Sequence, residues 1–114
     1  MRKLVAVATA LVAALALTVP GAIGGPGQTP GVIVMAIDDR SGKDLDPRSE
    51  GLVVVFNASP ATVSEAVPSL AGRAYELHPV QAGGGDPVVR EAASDAASGT
   101  FTVPARTVAV FVAR

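Results

Sequence analysis

Gly99-Thr-Phe-Thr-Val-Pro-Ala-Arg-Thr-Val-Ala-Val-Phe-Val-Ala-Arg114 carries the clearest structural signal in the chain. It reads as a short strand over 101–103, a tight corner at Pro104, and a second strand over 107–113. Proline has no backbone N–H, so Pro104 belongs where ladder pairing is interrupted. The β-branched and aromatic residues on either side of it suit a pleated, buried surface.

Upstream of those two strands, short apolar runs alternate with turn clusters. Strands are expected at 32–37, 52–57, 62–67, 73–78, 88–92, 100–103 and 107–113. Turn signals separate them at Ser41-Gly42, Asn57 to Pro60, Ala71-Gly72, Gly83-Gly84-Gly85-Asp86-Pro87 and Ser98-Gly99. Residues 95–98 could instead form one helical turn. Strands roughly every 8–12 residues with no helical period predict an all-β fold, an antiparallel β-sandwich of seven or eight strands. The glycine tract 83–85 lacks the strand–loop–helix setting of a phosphate cradle and reads as a loop.

Three strands are apolar on both alternating sets: 32–37, 52–56 and 108–113. A strand in a two-layer sandwich is normally polar on its outer face. Scattered exposed valines are ordinary. The sharper reading is that one face is shaped against a neighbour outside this sandwich.

The N-terminal segment reads differently. Arg2 and Lys3 precede an uncharged Ala/Leu/Val-rich run over 4–19, which Pro20 and Gly21 break. This is the pattern of a secretory signal peptide, expected over 1–24, followed by a Gly/Pro linker over 25–31 and the folded domain over 32–114. Secretion is the corresponding localisation. An uncleaved membrane anchor is the alternative, although the run is shorter than the ~20 residues of a bilayer span. Without Arg2 and Lys3, seven basic residues face ten acidic ones, a formal charge of −3. The basic residues form no stripe, which argues against nucleic acid. The chain has no cysteine, so an exported domain of this size must be held by packing alone.

Candidate chemistry is sparse. Asp38, Asp39, Asp44 and Asp46 form one acidic cluster, weighed as a calcium site against a solvated turn; their spacing matches no EF-hand. His78 is the only histidine and precedes Pro79, where a structural hydrogen bond is expected. Arg106, in the Pro-Ala-Arg-Thr corner, is expected to anchor a turn by bonding carbonyls or a carboxylate through its guanidinium. There is no tryptophan and one tyrosine, Tyr75, so an aromatic sugar platform is not evident. No catalytic, cofactor-binding or metal residue is assigned, and no cofactor is expected.

The wording of four segments is more specific than their periodicity. Thr102-Val-Pro-Ala-Arg-Thr-Val-Ala-Val-Phe-Val112 resembles the closing strands of the C-terminal β-domain in the α-amylase clan of glycoside hydrolases, nearest to the pullulanase-type α-1,6-glucosidases. Pro30-Gly-Val-Ile-Val-Met-Ala-Ile-Asp-Asp39 resembles the first strand of that domain. Asp44-Leu-Asp-Pro47 with Leu52-Val-Val-Val-Phe-Asn-Ala58 resembles its first loop and second strand. Tyr75-Glu-Leu-His-Pro-Val-Gln-Ala82 with Asp86-Pro-Val-Val-Arg90 resembles the next segment. The resemblance implies an amylase-type C-terminal sandwich that packs against a catalytic (β/α)8 barrel, in the full-length enzyme or in trans. In that family the catalytic carboxylates lie on barrel strands, and a barrel needs at least ~200 residues. None of those strand motifs occurs here, so no catalytic residue carries over. An export signal joined by a connector to a last domain is also what a truncated precursor would look like. The alternative reading is a secreted accessory module that binds α-glucan or a cell surface.

Overall fold

The computed structural model describes residues 29–38 and 47–114. The expected signal helix and most of the linker lie outside the described residues, as do Asp39, Asp44 and Asp46. Seven strands are seen among the described residues: β1 (Val32–Asp38), β2 (Gly51–Asn57), β3 (Val63–Ala66), β4 (Glu76–Leu77), β5 (Ala93–Asp95), β6 (Thr100–Val103) and β7 (Thr107–Ala113). They form two antiparallel sheets, one ordered β1-β2-β7-β4 and the other β3-β6-β5. The final strand is paired on both sides, by β2 and β4. Among the described residues the helical content is one four-residue helix, α1 (Pro79–Ala82), and two 3-10 turns, Pro68–Leu70 and Val89–Glu91.

The core follows from the pleat. Side chains alternate faces along a strand. Val32, Val34 and Ala36 of β1, Val53 and Val55 of β2, and Ala109 and Phe111 of β7 therefore share one face of the larger sheet, and all are buried. Phe101 and Val103 of β6 meet them from the smaller sheet. The rings of Phe101 and Phe111 lie 5.1 Å apart across the two layers, and Tyr75 meets Phe101 edge-on at 5.5 Å. Tilted and edge-to-face contacts suit the ring quadrupoles and fix how the layers seat.

Two expected strands are corrected. The one at 73–78 contracts to Glu76–Leu77, because Arg73 is still tied to the preceding turn through its N–H to Leu70 C=O. The one at 88–92 is a 3-10 turn instead. Asp86 Oδ1 accepts from Val88 N–H at 2.9 Å, starting a turn that Pro87 favours. The strand falls at Ala93–Asp95, and the expected turn over 95–98 follows it, closed by Gly99 N–H to Asp95 C=O at 2.9 Å. Pairing with β6 places the strand there, Ala93 opposite Thr102 and Asp95 opposite Thr100.

Asn57 ends β2 and is buried. Its Nδ2 donates to Ala61 C=O at 2.9 Å, Val103 C=O at 3.1 Å and Pro104 C=O at 2.8 Å. Its Oδ1 accepts from the Ser59 N–H and the Ser59 hydroxyl. The carbonyls of Val103 and Pro104 lie where the chain crosses from the smaller sheet to the larger, so this one amide holds the crossover.

Arg106 is corrected too. Its side chain is exposed, and the residue acts through its backbone, with φ of 52° and its N–H donating to Ser59 C=O at 3.0 Å. The left-handed conformation, rather than the guanidinium, turns the corner.

Asn57→Ala leaves several buried groups without partners and should cost about 3 kcal/mol, read by urea unfolding. Asn57→Asp should cost at least as much, since a carboxylate has no donor for the three carbonyls. Two glycines give a paired expectation. Both need positive φ, but a Cβ on Gly99 would lie 2.5 Å from Val67 O, whereas one on Gly72 meets nothing within 4 Å. Gly72→Ala should therefore cost only the backbone strain of about 1–2 kcal/mol, and Gly99→Ala clearly more. Equal losses would show that the Gly99 packing is not limiting.

Candidate docking surface

The other face of the larger sheet is built by the complementary set of residues. Strand register lines them up in rows across β1, β2 and β7. Ile33, Phe56 and Val108 form the first row; Met35, Val54 and Val110 the second; Ile37, Leu52 and Val112 the third. All nine are apolar. The first row is open, with Ile33 54%, Phe56 38% and Val108 45% exposed, and Val112 at the far end is buried. At ~4.8 Å between strands and ~6.7 Å between same-face residues, the grid covers roughly 300 Å². That is a substantial share of the apolar patch a monomer normally exposes.

Leu52 and Val112 of the third row line a cleft of about 350 Å³, together with Pro79, Ser49, Arg48, His78 and Arg114. Arg114 Nε is 2.9 Å from Glu76 Oε1, and both side chains are more than half exposed, so this pair adds little to stability. His78 has the structural role expected of it. As the residue before α1, its Nδ1 accepts from Val80 N–H at 3.2 Å. In the neutral ring the proton is then on Nε2.

The remaining candidates are dispersed. Among the described residues no group of three His, Cys, Asp or Glu side chains is placed to hold a metal. Asp38 is largely buried and lies 3.8 Å from the Arg73 guanidinium, which stacks 5.4 Å from the Tyr75 ring centre. Tyr75, Phe101 and Phe111 are core residues, which leaves Phe56 as the aromatic residue on the surface. The grid was legible as doubly apolar strands, but its rows depend on pairing. Gln81, which sequence reasoning passed over, holds the free part of the β7 edge through both side-chain atoms.

Comparison with known proteins places this architecture. Residues 15–114 match the family of alpha-1,6-glucosidases, pullulanase-type, C-terminal domain. Pullulanase 1, chloroplastic, of Arabidopsis thaliana is 46% identical over 93 residues, covering 77% of this chain and 10% of the relative. Pullulanase of Klebsiella pneumoniae is 39% identical over 88 residues, covering 75% of this chain and 8% of the relative. The crystal structure of apo pullulanase from Klebsiella pneumoniae superposes with a TM-score of 0.67 at 34% identity, over 79% of this chain and 10% of that one. The chain thus spans about a tenth of the length of the relatives it matches. With the family match over residues 15–114, the identity to both pullulanases and the superposition on a solved one, the chain belongs to the pullulanase-type alpha-1,6-glucosidase C-terminal domain family.

Proposed function

We propose that this chain serves as a non-catalytic domain that packs, through the outer face of β1, β2 and β7, against the catalytic barrel of a pullulanase-type α-1,6-glucosidase. The observation that carries this reading is the grid of nine apolar side chains turned away from the domain's own core. Covering roughly 300 Å² of such surface is worth about 7 kcal/mol before entropic and desolvation costs. The matched pullulanases are about ten times longer than this segment, so they carry ample chain to supply the cover. Glycoside hydrolysis needs two carboxylates set around the scissile bond in a groove. Asp38, the one described member of the acidic cluster, faces Arg73 instead.

The α-glucan-binding alternative has less support, because Tyr75 and two of the three phenylalanines are in the core. The proposal includes export: 1–24 as signal peptide, 25–31 as linker and 32–114 as the domain. The basic pair before an apolar run supports it. N-terminal sequencing of the exported product should begin near residue 25, and an intact Met1 would refute cleavage.

The docking reading is tested by grafting residues 29–114 onto Klebsiella pneumoniae pullulanase in place of its matching segment. The graft should hydrolyse pullulan and melt in one transition. Val54→Asp, at the centre of the grid, should separate the domain's transition from the rest and lower activity at elevated temperature. In the isolated chain the same change should leave the fold intact. If Val54→Asp leaves melting and hydrolysis of the graft unchanged, this face is not the docking surface. The isolated chain should release no reducing sugar from pullulan.

A further inference from the structure

β4 covers the outer edge of β7 only at Val112 and Phe111, and His78 N–H extends the pairing to Val110 C=O at 2.7 Å. Beyond that point the edge still presents the N–H of Val110 and the C=O of Val108. The Gln81 side chain takes both: Nε2 donates to Val108 C=O at 3.0 Å, and Oε1 accepts from Val110 N–H at 2.7 Å. One primary amide thus makes the donor–acceptor pair that an antiparallel neighbour strand would make.

The helix that carries this amide is weakly held. None of α1's four residues is buried, and Val80 is 75% exposed. Gln81 is the side chain that ties it to β7. Gly83, Gly84 and Gly85 follow, so residues 79–82 can swing aside at little cost to the core.

We propose that Gln81 guards a latent strand-acceptor edge at Val108–Val110, and that the partner it excludes is an extended strand from a second copy of this chain. The capped pair is self-complementary: with β7 of two copies antiparallel about Ala109, the Val110 N–H of each meets the Val108 C=O of the other, so a strand of the same chain fits. Val108 is also in the open row of the apolar grid, so an added strand would continue that row beyond β7. An unpaired edge beside exposed apolar surface is the usual template for edge-to-edge association. Natural edges are blunted by charge, proline or bulges, and here a glutamine amide does so.

The test uses the full chain, followed by sedimentation velocity from about 10 µM to 1 mM and by hydrogen exchange at Val110 N–H. Gln81→Ala should remain folded by circular dichroism, self-associate at a concentration at least tenfold below that of the unsubstituted chain, and exchange the Val110 proton at least tenfold faster when dilute. Gln81→Ser is uncharged and too short to reach either Val108 C=O or Val110 N–H, so it should also associate more readily, which provides a second route should Gln81→Ala not fold. Adding Val108→Lys to Gln81→Ala should restore the monomer. Ile33→Lys, on the same apolar row but away from the β7 edge, should restore it less. The proposal is overturned if a folded Gln81 variant associates no more than the unsubstituted chain. Unchanged Val110 protection overturns it too, as does an Ile33→Lys rescue equal to that of Val108→Lys.

Discussion

The buried amide of Asn57 is the constraint on which both layers depend. A sandwich needs its chain to pass from one sheet to the other without stranding backbone polar groups in the apolar interior. The last of four such passages among the described residues is the corner between β6 and β7, and Pro104 removes one donor from it. The carbonyls of Val103 and Pro104 still need partners, and Asn57 supplies them from the end of β2. Because its Oδ1 also fixes Ser59, the same residue shapes the turn that leads into the smaller sheet. The Phe101–Phe111 contact then seats the layers at a defined offset.

With the crossover fixed, β7 becomes one of the two inner strands of the larger sheet, and its two faces take different fates. Ala109 and Phe111 enter the core, while Val108 and Val110 join the outer grid. The inner face is buried within this domain, while the outer face is covered at Val112 and open at Ile33, Phe56 and Val108. The domain therefore has a core of its own and still carries exposed apolar surface.

Much of this was legible in the residues. The strands β1, β2, β6 and β7 were read to within a residue, because β-branched runs bounded by turn residues leave few alternatives. Val88-Val89 misled for the same reason. Their β propensity is real, but Asp86 and Pro87 impose a turn, and Val89 is buried as a single anchor. Ala93-Ser-Asp95 has little β propensity of its own and becomes a strand through pairing with β6. His78 was read correctly as structural, since a lone imidazole before Pro79 has few other uses. Arg106 was read by its charge when its backbone angle mattered.

Local sequence by itself determined that the chain is all-β, where its longest strands lie, and that three of them are apolar on both sides, because side-chain chemistry and turn propensity act over a few residues. Only the tertiary structure decided which apolar set faces inward, which residues share a row, that Asn57 bridges the layers and that Gln81 completes a sheet edge. Each of those depends on groups far apart in sequence meeting within hydrogen-bond or van der Waals distance, as Asn57 meets Pro104 and Gln81 meets Val110. Register is a long-range property: a slip of one residue would exchange the core face and the outer face of an entire strand.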